Sequence, residues 1–273
     1  MVTTLRDLTI SEIKRINCPV KCKIIKKEIK NLADYFALTS SLLVDNQPYW
    51  YRGQRNSSWS LVPSALRYIT LSERSEALNL LNDFKRIAEI KLDRPPGTDE
   101  ELRWLQLAQH YGIPTRLLDW TESAVFALFF ACKAYKEKNV EFDGMVFLLN
   151  PSHISKLPGT TSRTSLDTHP DDDLIGSYTM LGPRANKKGK PNIAIKPVWN
   201  SERMMFQRGV FTLHGNKDFA IDEEQAPSLV GIPILFELKA NIQKELDRIC
   251  IDEIAMFPEL EHACINLRRR AGL

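Results

Sequence analysis

Apolar positions recur along this chain with two different periods, and the places where the period changes mark its elements. Over residues 28–43 (EIKNLADYFALTSSLL) the apolar residues Ile29, Leu32, Phe36 and Leu43, with Ala33 and Leu38 between them, recur at helical spacing. Asp45-Asn46-Gln47-Pro48 stops that helix, and Tyr49-Trp50-Tyr51 then suits a half-buried pleated strand. Residues 55–64 read as a loop. Leu81, Phe84 and Ile87 predict a helix over 73–92 with Ser72 as its N-cap, ended by Pro95-Pro96-Gly97. A second helix starts at Thr98 or Asp99 and runs through Leu102, Trp104, Leu105, Leu107 and Ala108, with Gly112 and Pro114 closing it. A tight segment, Thr115 to Trp120, leads to a third helix capped by Thr121 and reaching Lys138.

Gly144–Leu149 has strand character. Residues 151–199 are rich in Pro, Gly, Ser, Thr and Asp and read as a long loop or flap. The patterned segments beyond it continue the same core, so one domain is expected over 1–273. They are a short helix over Ser201–Arg208 stopped by Gly209, strands at Val210–His214 and Ile232–Leu238, and helices near 240–250 and 258–270, with Pro258 at a helix start. Helices and strands alternate without regular βαβ spacing. This predicts an α+β fold, with a small mixed or antiparallel sheet flanked by several helices.

Composition narrows the class. With 43% hydrophobic and 26% charged residues the chain is that of a globular protein. A net charge of +3 is too mild to imply nucleic acid by itself. Lys14, Arg15, Lys21, Lys23, Lys26 and Lys27 make residues 1–27 a basic N-terminal extension. Such a face either meets a phosphate-bearing partner, nucleic acid or protein, or is simply solvated. The five cysteines are scattered, which argues against a disulfide framework, and Cys18 and Cys22 have half the spacing of a metal site without the other half. No metal is expected. The longest apolar run, Ala124 to Cys132, has nine residues against the roughly 20 that span a bilayer, and the N-terminus lacks the pattern of a secretory leader. A cytoplasmic protein with no membrane contact is expected.

Three stretches carry candidate chemistry. In the first, Tyr51-Arg52-Gly53-Gln54, the guanidinium is a rigid fork for phosphate or carboxylate, and Gly53 lets backbone or ligand approach closely. Arg52 is otherwise a strand-end arginine paired to an internal acid such as Asp119. The second, Gln109 to Thr121, combines a helix stop, a proline-fixed turn and a new cap, and gathers Tyr111, Thr115, Arg116, Asp119, Trp120 and Thr121. Arg116 and Asp119 either pair inside the turn or face a pocket; His110 is either a general base or a satisfied structural histidine. The third, Arg203 to Thr212, ends a helix in glycine and feeds a strand; Gln207 both donates and accepts hydrogen bonds but is no carboxylate base. Phosphate-loop, dinucleotide-fingerprint, zinc-protease and nucleophile-elbow patterns are absent.

YWYRGQ, then QHYGIPTRLLDWTESAVFALFFAC, then RMMFQRGVFTLHG, in that order, resemble the signature stretches of the FRG domain, named for a phenylalanine- or tyrosine-arginine-glycine motif. Ile254 to Leu260 (IAMFPEL) is similar to the family's usual ending. The resemblance implies a bacterial or phage-type intracellular domain, often met beside mobile or defence-like genes. A further analogy is to ADP-ribosyltransferases, where an aromatic-Arg-Gly strand presents an arginine to the dinucleotide, a Ser/Thr-bearing strand-to-helix motif shapes the nicotinamide pocket, and a third element supplies a glutamate. By that analogy NAD is the cofactor, and Arg52, Asp119 and Gln207 are the catalytic candidates. Tyr51, Arg52, Gly53, Gln54, Tyr111, Thr115, Arg116, Trp120, Thr121 and Arg203 are the binding candidates. The departure is Gln207, which stands where the analogy requires a carboxylate; Glu202, Glu237 and Glu253 are the substitutes considered. A toxin-like transferase or glycohydrolase, a non-catalytic nucleotide-, nucleic-acid- or protein-binding module, and a metal-dependent nuclease remain the open readings.

Overall fold

A computed structural model describes residues 5–68, 70–154, 172–179, 189–197, 199, 201–216, 219–222 and 226–271. In chain order the described elements are α1 (Ile10–Arg15), β1 (Lys23–Ile24), α2 (Leu32–Leu42), β2 (Trp50–Gln54), α3 (Leu71–Lys91), α4 (Glu101–His110), β3 (Leu117–Thr121) and α5 (Ala124–Cys132). After them come β4 (Lys136–Glu137), β5 (Val140–Glu141), β6 (Gly144–Leu149), α6 (Asp172–Thr179), β7 (Ile193–Ile195), α7 (Glu202–Phe206), β8 (Gly209–Leu213), β9 (Val230–Ile234), α8 (Phe236–Arg248), α9 (Glu253–Met256) and α10 (Leu260–Arg270). The fold is α+β, as the pattern predicts. One seven-stranded sheet has the order β1-β9-β6-β2-β3-β8-β7, and β4-β5 form a separate hairpin. Every neighbour in the main sheet is antiparallel except β1 on β9.

The middle of the sheet buries α5. This helix is apolar all round because β2 and β6 lie under it while α8 packs beside it. Close approach requires glycine: a Cβ on Gly53 would lie 1.8 Å from the carbonyl oxygen of Ala127, and one on Gly144 would lie 2.2 Å from that of Ala131. On the other face, Trp50, Leu61, Phe147, Leu149 and Trp120 make a second core. A third, built on Leu105, Leu117, Tyr178, Ile193 and Leu213, joins α4 and α6 to the β7–β8 end.

Several expected boundaries move. The segment Thr115–Trp120 is largely strand, because β3 pairs residue for residue with β8 from Leu117↔Leu213 to Thr121↔Gly209. The following helix is capped by Ser123, whose hydroxyl accepts from the Phe126 amide, so Thr121 is not the cap. That helix stops at Cys132 instead of Lys138, where the β4-β5 hairpin turns through left-handed Lys138 and Asn139 (φ 49° and 66°). Thr70, not Ser72, caps α3, forming a reciprocal box with Glu73. The strand expected over Ile232–Leu238 ends at Ile234, since the Phe236 amide donates to Asp143 (2.8 Å) and begins α8. Four short strands escape the pattern: β1, β4 and β5 have two residues each and β7 has three, too few to show a period. Through β1, and through buried Leu8 and Val20, the basic N-terminal region packs on the sheet. Within 151–199 the described parts hold α6 and β7, while residues 155–171, 180–188 and 198 of that expected loop or flap lie outside the described residues. No described helix is long and apolar enough to cross a membrane.

Candidate functional site: an arginine-lined cleft where the sheet parts

β2 pairs with β6 over five residues, and β3 pairs with β8 over five. Between them, β2 and β3 share a single register pair, Tyr51↔Thr121. The sheet therefore opens at its middle, and backbone groups along the gap need other partners. Arg52 supplies one: its Nη1 donates to the backbone carbonyl of Asp119 at 2.6 Å. The Asp119 carboxylate stands 3.9 Å from the same nitrogen and is 64% exposed, whereas the Arg52 side chain is 15% exposed. Burial lowers the Arg52 pKa to about 10, with Asp119 opposing that fall and Arg67 adding to it. The guanidinium is still a cation at neutral pH. Its Nε is buried and makes no hydrogen bond among the described residues.

A cleft of about 530 Å³ occupies this opening. β2 contributes Tyr51, Arg52 and Gly53, β3 contributes Asp119, Trp120 and Thr121, and α5 contributes Phe130. One wall is α4 with the chain before it, bringing Arg94, Arg103, Gln106 and His110; the other is α7 and its turn, bringing Arg203, Met204 and Gln207. Four guanidinium groups thus line the cleft with one carboxylate, Asp119. Arg103 is tied to Glu100 by Nη1 at 2.7 and 2.8 Å. Desolvation, with Arg203 nearby, holds His110 below its ordinary pKa; Glu259 acts in the opposite sense.

The cleft joins the three stretches. Thr115 donates to Gln109, whose amide donates to the Asp119 carboxylate, so the second stretch fixes its own acid. The Thr121 hydroxyl donates to the backbone oxygen of Gln207 and accepts from the Ser123 amide (3.0 Å), tying the second stretch to the third. The Gln207 side chain is anchored by its Nε2, which donates to the Met256 carbonyl at 2.6 Å. Tyr111 lies 60% exposed at the mouth, edge-on to His110. Trp120 is 3% exposed, and its Nε1 donates to Thr212 (3.0 Å).

Three binding candidates lie elsewhere. Arg116 is buried away from the cleft and donates to the carbonyls of Gly215 (3.0 Å) and His214 (3.3 Å), so it does not pair with Asp119. Gln54 is buried beneath the Ser60 carbonyl (3.5 Å). Thr115 is buried behind Gln109 and acts only through it. Glu202, Glu237 and Glu253 do not line the cleft either; Glu253 is paired to Lys133 at 3.1 Å. The reading of the motifs missed Arg94, Arg103 and Phe130. Arg103, Gln106 and His110 recur at three- and four-residue spacing on one face of α4, a polar stripe that marks a wet wall.

An α+β domain with a central sheet split around an arginine-lined cleft is the class these features define. More particularly, residues 47–140 match the FRG domain. That match includes Arg52 and Asp119 and ends before Arg203 and Gln207. No curated protein and no solved structure matches the chain.

Proposed function

We propose that the cleft binds a nucleotide of the NAD type and breaks its bond between nicotinamide and ribose, passing ADP-ribose to an acceptor or to water. The observation that carries this reading is the meeting of the three stretches on neighbouring strands: Arg52 on β2, Asp119 and Thr121 on β3, and Arg203 and Gln207 on the approach to β8, all around one opening. The guanidinium groups match a pyrophosphate in charge and in donor geometry. Tyr111 at the mouth offers a face for a base. As the bond breaks, its electron pair leaves with nicotinamide and neutralises the pyridinium, while positive charge develops on the sugar. Asp119 is the cleft carboxylate that can stabilise that charge. Water or the acceptor then adds and releases its proton. Consumption of NAD, or modification of a target by it, is the output expected of a toxin or defence effector.

A second reading keeps the ligand and drops the chemistry. It is favoured by Gln207, an amide already engaged by Met256 where the analogy calls for a free carboxylate. The nuclease reading gains no support, since no cluster of three His, Cys, Asp or Glu side chains suited to a metal exists among the described residues.

The test is purified protein with NAD, measuring affinity by calorimetry and free nicotinamide by chromatography. Arg52→Ala is expected to weaken binding by roughly ten- to a hundredfold, the loss of a charged hydrogen-bonding group. Asp119→Asn is expected to bind and not release nicotinamide. Binding without release in the wild type selects the non-catalytic reading; no binding overturns both.

A further inference from the structure

Residues 253–259 close over the third stretch from outside. The Met256 carbonyl holds the Gln207 amide, and the ring of Phe257 lies 4.7 Å from the Arg203 guanidinium carbon and 4.4 Å from the Lys133 ammonium. Beside them stands Glu259. Its Oε1 is 3.7 Å from Arg203 Nη1, close enough for charge to act and too far for a hydrogen bond. Both carboxylate oxygens are shut off from solvent, and neither accepts a hydrogen bond among the described residues. The Arg203 guanidinium, which lines the cleft, likewise donates to no described side chain or carbonyl.

A buried carboxylate with no donor is costly, and natural proteins keep few of them. Its own helix offsets part of that cost, because Glu259 precedes α10, whose first amides favour negative charge. That placement does not explain why the nearest cation is held at arm's length. The Phe257 ring, 4.7 Å from the guanidinium carbon, offers Arg203 a competing cation–π contact, and Arg203 also lines the cleft.

We propose that Glu259 is a positioning residue that sets the affinity of the cleft for phosphate-bearing ligands through Arg203. Its charge steadies the guanidinium in the empty cleft without using its N–H groups, and it opposes a phosphate that comes to take them. This rests on the reading that the cleft accepts a nucleotide. The affinity of that ligand is then a balance between Arg203 and its internal counter-anion.

Inorganic pyrophosphate is the probe, titrated calorimetrically into wild type, Glu259→Gln, Arg203→Ala and the double variant. Glu259→Gln is expected to bind roughly three- to tenfold tighter, the effect of removing one screened charge at this range. In the Arg203→Ala background that gain is expected to shrink or vanish. Glu259→Asp, which retracts the charge by one methylene, is expected to tighten binding less. The His110 resonance should titrate at lower pH in Glu259→Gln, because the group that raises its pKa is gone; the loss of the affinity gain in the Arg203→Ala background is what a merely structural helix cap does not predict. Unchanged or weaker binding by folded Glu259→Gln, or an equal gain without Arg203, overturns the proposal. Should Glu259→Gln not fold, unchanged affinity in Glu259→Asp does so. If pyrophosphate binds and Glu259→Gln tightens it while NAD is ignored, only the NAD reading falls. If pyrophosphate binds neither protein, both fall.

Discussion

At the residue scale, Arg52 fills with its guanidinium the gap that two parting strands leave in the ladder, and so stands buried beside the cleft. His214 shows the opposite case, a polar side chain used up by the fold. Its Nδ1 faces the Phe219 carbonyl at 2.8 Å, an acceptor only, so that nitrogen carries the proton. Nε2 then accepts from the Thr212 hydroxyl (3.0 Å), whose oxygen accepts from Trp120. The chain is complete only with a neutral imidazole, and burial pushes the His214 pKa down to about 3. A folded-state pKa below the unfolded value of about 6.5 gives stability that is present above that value and lost as pH falls toward the folded one. The urea midpoint is therefore expected to drop as pH is lowered from about 6.5 to 4, and to drop less in His214→Gln. Parallel pH curves for the two proteins would refute this.

At the scale of elements, the contact of α5 with β2 and β6 is set by glycine. The Gly53 Cα faces the Ala127 carbonyl with no room for a methyl group, and the obstacle is backbone, which cannot rotate aside. Gly53→Ala is expected to destabilise the protein by about 2–3 kcal/mol or to prevent folding, measured by urea denaturation. Thr70→Ala removes a cap from the exposed start of α3 and is expected to cost about 1 kcal/mol by the same measurement. Both features have a local signature, although the apolar pattern placed the cap two residues late, at Ser72. The threonine with glutamate three residues on is a cap signature, and a glycine inside an aromatic strand announces close approach. What approaches Gly53, a helix backbone on one side and the cleft on the other, is not local information.

At the scale of the whole molecule, a net charge of +3 is spread widely, yet the cleft gathers Arg52, Arg94, Arg103 and Arg203 against Asp119. Binding of pyrophosphate is expected to weaken steadily with added salt while thermal stability stays nearly constant; a salt-independent affinity would deny the cleft its electrostatic role. Periodicity determined the α+β class, most of the longer helices and the strands β2, β6, β8 and β9, though not β3, because burying one face imposes a 3.6- or two-residue repeat on any chain that does so. It also marked the three stretches, whose glycines, proline and arginines make turns and charges that a core alone does not need. Tertiary structure decided the rest. Tyr51 and Thr121 are 70 residues apart in sequence and opposite each other in the sheet, so only the pairing of β2, β3 and β8 could reveal that their loose seam is an opening. The same pairing sent Arg116 to carbonyls on the far side and left Arg52 and Arg203 facing the cleft. A side chain's chemistry is carried by its residue type, but its direction is fixed by which backbone lies beside it, and that depends on contacts between segments far apart along the chain.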